Sequence, residues 1–179
     1  KMLRFFTHFF VQNQVSKNLL NSIGLNNVSV TGDTRFDRVF SIAASSKNLP
    51  LVEKFGNGNT VLIAGSTWPA DEDLLIRYIN ENQGNIKLII APHEIHYQHI
   101  ESIEKKINPE IKTVRYSKAN DSTVETAQIL IIDGMGFLSS VYKYGHIAYI
   151  GGGFGKGIHN TLEAATFGLP VLFGPNYHK

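Results

Sequence analysis

From residue 57 onward, short β-prone runs recur with room for a helix between them. They are Thr60–Ala64, Ile86–Ala91, Lys112–Arg115, Ile129–Asp133, His146–Ile150 and Pro170–Phe173. Most are continuously apolar, as strands buried on both faces are. Helix-prone stretches separate them: Asp71 to about Asn82, from Pro92-His93-Glu94 to about Ile107, near Phe137 to Tyr144, and between Asn160 and Gly168. Alternation of this kind predicts an α/β fold, a Rossmann-like and mostly parallel sheet with helices on both faces. Ligands of open α/β sheets bind at the carboxyl ends of the strands. The loops that follow strands are therefore the ones to read for chemistry: Gly65–Pro69, Pro92–Glu94, Asp133–Gly136 and Gly151–Asn160.

Before residue 32 the rhythm differs. Leu3–Val11 is aromatic and reads as a strand. Gln14–Ile23 carries Val15, Leu19, Leu20 and Ile23 at helical spacing, with Gly24 as the stop. Val28–Val30 is a short strand. A helix-prone stretch follows Gly32–Arg38 and runs to about Ser45, and Leu51–Phe55 is one more helical turn. The shift predicts two parts: residues 1–31, the edge of a neighbouring domain, and residues 32–179, a ligand-binding domain. The first residue is Lys and the last apolar run lies almost at the terminus, so a piece of a longer chain is expected.

Composition removes several classes. The 179 residues, 42% hydrophobic, suffice for one packed domain with an appended segment. A net charge of +2, without a block of like charges, gives no reason to expect a nucleic-acid partner. The absence of cysteine excludes disulfides and a thiol nucleophile. No apolar run approaches the roughly 18 residues that would cross a bilayer. Lys1–Val11 lacks a small-residue cleavage site, so no signal peptide is expected.

The richest loop holds five glycines between Gly151 and Gly157, followed by His159, Asn160 and Glu163. Glycine lets the chain turn with positive φ and lets a ligand approach the backbone. The helix start that follows would offer unpaired N–H groups to an anion. His159 and Glu163 are four apart and share a face, with Asn160 one position round. Such a group beside an amide-rich turn suits a ligand bearing both hydroxyls and phosphate, a nucleotide. The dinucleotide fingerprint G-x-G-x-x-G does not fit Gly151–Gly157, and the P-loop pattern fails because Gly157 follows Lys156. A purely structural glycine turn is the competing reading.

Ser66 and Thr67 follow a strand and precede a helix, where they either cap the helix or contact a phosphate. Trp68, the only tryptophan, is assigned to a core or hinge role. His93, His96 and His99 have the spacing H-x-x-H-x-x-H. Positions six apart align poorly on a helix, so surface histidines are expected and no metal site, with His93 the exception because it directly follows a strand and Pro92. Asp33 and Arg35 read as a surface pair, and Asp133-Gly134 as a turn. No Ser-His-Asp arrangement and no paired-carboxylate hydrolase pattern is visible.

Taken in order, the motifs resemble one family. Val30-Thr-Gly-Asp-Thr-Arg-Phe-Asp-Arg-Val39, Ala64-Gly-Ser-Thr-Trp-Pro69, Ala91-Pro-His-Glu94, Asp133-Gly-Met-Gly-Phe-Leu138 with Tyr142, and Gly151-Gly-Gly-Phe through Gly157-Ile-His-Asn-Thr-Leu-Glu163 to Pro170–Pro175 are similar to 3-deoxy-D-manno-octulosonic acid (Kdo) transferases of lipopolysaccharide biosynthesis. The resemblance implies one half of a GT-B glycosyltransferase, an enzyme whose two Rossmann-like domains face a cleft. This chain would be the domain that binds the donor, CMP-Kdo, and residues 1–31 the end of the acceptor domain and the crossing between the two domains. The lipid A precursor, the membrane-associating start and the general-base glutamate would belong to the missing part, so no catalytic residue is assigned here.

The resemblance also places donor-binding roles on Ser66, Thr67, His93, Gly151, Gly152, Gly153, Lys156, His159, Asn160 and Glu163. Asn160 and Glu163 would hold the nucleotide and its ribose, and the three glycines would lie near the phosphate and sugar. Many members have Pro-Arg-His where this chain has Pro92-His93-Glu94, and Lys156 would partly replace that arginine. No cofactor is implied. The whole enzyme would work at the cytoplasmic face of the bacterial inner membrane, and the fragment alone is expected to be soluble and inactive. The alternatives are another GT-B nucleotide-sugar enzyme, a UDP-sugar transferase or epimerase, and a non-catalytic nucleotide-binding module.

Overall fold

The computed structural model describes residues 2–82, 84, 86–155 and 157–177, with backbone only at 38 and 42. The chain divides into two compact units, Lys1–Ile42 and Ala43–Lys179. The sequence rhythm suggests a second part beginning at residue 32, eleven residues earlier; the structural division falls within the last turn of the intervening helix.

In the first unit, β1 (Phe9–Val11) pairs in parallel with β2 (Val28–Val30), and α1 (Gln14–Ser22) connects them. Asn13 caps α1 by accepting from the Ser16 N–H at 2.9 Å. Gly24, at φ 83°, ends it, and the Leu25 N–H returns to the Leu20 carbonyl. The expected strand from Leu3 is shorter than its aromatic content suggested, because Met2–Phe5 forms a 3-10 turn. α2 (Thr34–Ala44) follows.

The second unit opens with α3 (Pro50–Gly56). Its strands are β3 (Thr60–Thr67), β4 (Ile86–Pro92), β5 (Thr113–Arg115), β6 (Ile129–Ile131), β7 (Ile147–Ile150) and β8 (Val171–Phe173). They form one sheet in the order β5-β6-β4-β3-β7-β8, parallel throughout. The intervening helices are α4 (Pro69–Glu81), α5 (Tyr97–Lys106), α6 (Asp121–Thr126), α7 (Leu138–Val141) and α8 (Leu162–Thr166). The α/β fold with a parallel sheet is as the alternation required. α6 carries little hydrophobic period and was not foreseen; Asn120 caps it, accepting from the Thr123 N–H.

Alternate residues of the central strands enter two cores. Val61, Ile63, Ile89, Leu130 and Ala148 face one side with Phe55 and Val141. Leu62, Leu88, Ile90, Ile129 and Ile131 face the other with Leu75, Ile76 and Ile79 of α4. Burial of each large aliphatic side chain contributes about 1.5–3 kcal/mol. The chain leaves β3 toward β4 on one side and later returns to lay β7 on the other. The carboxyl ends of β3 and β7 therefore flank the point where strand order reverses, the position at which such sheets bind ligands.

Arg115 at the end of β5 is tied to α5 by a two-pronged bond to Glu104, Nε to Oε1 at 2.7 Å and Nη2 to Oε2 at 2.5 Å. That bond, against the opposing effect of burial, holds the Glu104 carboxyl below its ordinary value. A depressed carboxyl contributes stability above its unfolded value, about pH 4.3, and the contribution is lost as pH falls through the folded value. Glu104 is 35% exposed, so solvent screens the pair. Arg115→Met is expected to cost about 1 kcal/mol at pH 7 and much less at pH 3. Urea unfolding at the two pH values checks this; an equal loss at both would refute it.

Candidate functional site

β3 does not end where its apolar run ends. It continues through Gly65 and Ser66 to Thr67, with a bulge against β4: Gly65 pairs with Ala91 and Thr67 with Pro92, leaving Ser66 as the extra residue. Ser66 has φ 52°, the left-handed region, at a cost of about 1–2 kcal/mol for a residue with a Cβ. Thr67 is turned inward. It is 1% exposed, and its hydroxyl donates to Glu72 Oε1 at 3.0 Å. The side chain that the sequence leaves between a helix cap and a phosphate contact is thus committed to the interior. Glu72, 0% exposed, also meets His99 Nε2 at 3.0 Å.

The three histidines after β4 go to three partners. His93 lies in a stack of rings, His96 caps α5 by accepting from the His99 N–H at 3.2 Å, and His99 is bound to Glu72. The expectation of surface histidines is corrected for His99, whose side chain is only 11% exposed. Its acidic partner enters from α4, an element far away in sequence.

Asp71 organises the site, and its importance was missed. It is 1% exposed at the third position of α4. One carboxylate oxygen accepts from the Trp68 N–H at 2.9 Å and the Gly152 N–H at 2.8 Å; the other accepts from the Tyr149 hydroxyl at 2.6 Å. One carboxylate therefore joins the end of β3, the start of α4, the last turn of β7 and the glycine turn. Burial and the bond to Asp71 push the Tyr149 phenol well above its ordinary value. The only signal in the sequence is an acid three residues after Trp68, at the start of the helix-prone stretch.

The glycine turn is tightly self-satisfied. Gly151 N–H donates to the Gly65 carbonyl, Gly152 N–H to Asp71, and both Gly155 and Gly157 N–H to the Gly152 carbonyl. Ile158 N–H reaches the Asn176 carbonyl, and His159 N–H the Gly151 carbonyl. Six amides that looked available to a phosphate thus have acceptors within the protein. The glycines answer a packing demand instead. A Cβ on Gly151 would lie 2.3 Å from the Ser66 oxygen, and one on Gly153 would lie 2.5 Å from the Gly174 nitrogen. Gly152 has φ 95°. Lys156 lies outside the described residues.

At the mouth of this turn three rings stack. His93 lies 4.6 Å from Trp68 and 4.6 Å from His159, centroid to centroid, with interplanar angles of 25° and 29°. Trp68 Nε1 also donates to His159 Nε2 at 3.2 Å. Trp68, assigned from sequence to a core or hinge, is thereby a site residue, placed by the β3 bulge and the Pro69 that starts α4.

Asn160 and Glu163 sit one step further on. Asn160 Nδ2 donates to Glu163 Oε1 at 3.3 Å, while Asn160 Oδ1 accepts from the Leu162 N–H at 3.0 Å. α8 has only five residues, shorter than the apolar stretch up to Gly168 suggested, and Asn160 already engages one of its leading amides. Tyr142 lies beneath this pair and Gly65: burial, and then the Glu163 charge, push its phenol up. A Cβ on Gly65 would come within 2.0 Å of the Tyr142 hydroxyl. A cavity of about 310 Å³ opens on the α4 side of the glycine turn. Trp68, Pro69, Ala70, Asp71, Gly152, Phe154 and Gly155 line it, while Asn160 and Glu163 stand outside that lining.

Fold and site together define an α/β domain whose candidate groove lies at the carboxyl ends of β3 and β7, where the strand order reverses. Its fold is shared by the crystal structure of the C-terminal CMP-Kdo binding domain of WaaA from Acinetobacter baumannii. That match has a TM-score of 0.59 and 23% identity, covering 79% of this chain and 72% of that one. By sequence the chain is similar over nearly its whole length to 3-deoxy-D-manno-octulosonic acid transferases. It is 28% identical to that of Rickettsia bellii over 177 residues, 97% of this chain and 42% of the relative. It is 29% identical to that of Aquifex aeolicus over 150 residues, 79% of this chain and 39% of the relative. The chain thus spans about two fifths of the length of these relatives. No protein-family model matches it.

Proposed function

We propose that this chain is the donor-binding part of a Kdo transferase, the half of a GT-B enzyme that holds CMP-Kdo for inverting transfer to a lipid A precursor. The observation that carries the reading is similarity to Kdo transferases along 97% of the chain, joined to a groove at the reversal point of the sheet. Within that groove the proposed donor contacts are Ser66, the Thr67 backbone, His93, Gly151, Gly152, Gly153, His159, Asn160 and Glu163, with Lys156 on the same loop by sequence. The Asn160–Glu163 pair suits ribose hydroxyls, because a carboxylate accepts two bonds and an amide both donates and accepts. The rings of His93 and His159 carry the N–H groups best suited to the phosphate and to the charge it gains as CMP departs.

The first unit is proposed as the end of the acceptor domain. Its exposed Phe10, Val15 and Leu19 suit a surface covered by more of that domain. The acceptor, the base and the contact with the cytoplasmic face of the inner membrane then belong to the rest of the enzyme. Among the described residues no helix is long and apolar enough to cross a membrane.

Titration with CMP and UDP, followed by calorimetry or NMR, tests the reading. CMP is expected to bind and UDP to bind at least tenfold more weakly. Glu163→Ala is expected to weaken CMP about tenfold or more, through loss of a charge-assisted hydrogen bond. Absence of CMP binding at millimolar concentration, with Glu163→Ala behaving as the parent, would overturn it. Preference for UDP would instead support another GT-B nucleotide-sugar enzyme.

A further inference from the structure

The contact between Trp68 Nε1 and His159 Nε2 spans 3.2 Å, and its chemistry has one direction. An indole N–H donates and never accepts, so His159 Nε2 must accept. A neutral imidazole has one donor and one acceptor nitrogen. With Nε2 accepting, the proton of His159 lies on Nδ1. Protonation of Nε2 would set an N–H against an N–H and break the contact.

The stack reinforces the orientation. The ring of His159 lies against that of His93, and His93 against Trp68, each pair 4.6 Å apart. The His159 backbone is held as well, its N–H donating to the Gly151 carbonyl at 3.2 Å. Ring plane, ring edge and main chain are therefore each fixed by a separate partner. A turn of His159 about its side-chain bonds would lose the stack and the Trp68 bond together.

We propose that Trp68 is a positioning residue that holds His159 in its neutral Nδ1–H tautomer, so that this ring meets a phosphate or carboxylate oxygen of the bound nucleotide-sugar as a hydrogen-bond donor. The ligand part of this inference rests on the donor-site reading above. The tautomer part stands on the ring geometry alone. A His159 locked the other way would present an acceptor to an anion and repel it.

Long-range ¹H–¹⁵N correlation spectra of the ¹⁵N-labelled 179-residue chain, recorded where its imidazoles are neutral, read the tautomer without any ligand. His159→Gln assigns the signals by removing them. The expected spectrum of the parent chain has a protonated, pyrrole-type Nδ1 and an unprotonated, pyridine-type Nε2 at His159. Trp68→Phe keeps an aromatic face in the stack and removes the indole donor. In that variant His159 is expected to shift toward the Nε2–H form, and CMP affinity to fall about tenfold. A protonated Nε2 at His159 in the parent overturns the proposal, as does a Trp68→Phe variant in which either the tautomer or the CMP affinity stays unchanged. A parent chain that binds no CMP refutes the donor reading, while its ligand-free spectrum still decides the tautomer.

Discussion

Asp71→Ala is expected to lower the stability of the second unit by about 3–5 kcal/mol, and Asp71→Asn by only about 1 kcal/mol. Alanine leaves the Trp68 N–H, the Gly152 N–H and the Tyr149 hydroxyl without their acceptor, at a position 1% exposed. Each stranded buried polar group costs about 1–3 kcal/mol, and water entering the space left by the carboxylate offsets part of the sum. Asparagine is tolerated for a reason visible in the geometry. Both backbone donors point to the same oxygen, which an amide oxygen replaces. The other oxygen meets only a hydroxyl, which can rotate and accept from the amide NH₂. Urea unfolding of the three proteins gives the comparison. Equal destabilisation by alanine and asparagine would show that charge, rather than the pattern of acceptors, is what Asp71 supplies; a loss under 1 kcal/mol for alanine would remove Asp71 from the centre of the site.

Asp71 also shows where sequence reading stops. Its donors come from positions 68, 149 and 152, and nothing in the local pattern joins an acid at the head of one helix to a strand nearly eighty residues later. The six strands were legible because each is a short β-prone run between helix-prone segments, a property of neighbouring residues. Their parallel direction followed from the intervening helices. Their lateral order did not, since the chain's return from β6 across to β7 is decided by packing of both faces at once. The same limit applies to Thr67. A bulge at Ser66 turns its side chain onto Glu72, whereas strand alternation alone left capping and phosphate contact equally open.

The glycine loop was legible as a turn at the carboxyl end of a strand, and less so in what its glycines are for. Many glycines in a loop imply close approach, but by ligand or by backbone is not written in the residues themselves. Here Gly151, Gly153 and Gly174 are pressed against other main chain, and six amides of the loop already have partners in the protein. Open space beside the turn therefore lies on its α4 side, where the cavity lined by Trp68, Pro69 and Phe154 opens. His99 and His96 had looked equivalent from their spacing. One is a mostly buried partner of Glu72 and the other a helix cap, a difference set by what α4 brings alongside α5.

Gly151→Ala is the sharpest test of that account, with an expected loss of about 3 kcal/mol or more, while Gly155→Ala is expected to change stability by no more than about 0.5 kcal/mol. A Cβ on Gly151 would stand 2.3 Å from the Ser66 oxygen, 2.6 Å from the Thr67 Cα and 2.7 Å from the Ser66 carbonyl carbon. All three are backbone atoms of the β3 bulge, so no side chain can swing aside. Relief requires the end of β7 to move off β3, which strains the bond from Gly151 N–H to the Gly65 carbonyl at 2.9 Å and displaces its neighbour Gly152 from Asp71. Ser66, already in the left-handed region, has no easy conformation left to adopt. Gly155 sits in the same loop with nothing within 4 Å of an added Cβ, so it controls for a general cost of replacing loop glycines. If the glycines chiefly admit a ligand, Gly151→Ala would keep its stability and lose CMP binding. If they chiefly admit the β3 backbone, as the distances require, stability falls first, and CMP binding weakens only as the ends of β3 and β7 part. Denaturant unfolding and CMP titration on the same two variants separate the outcomes.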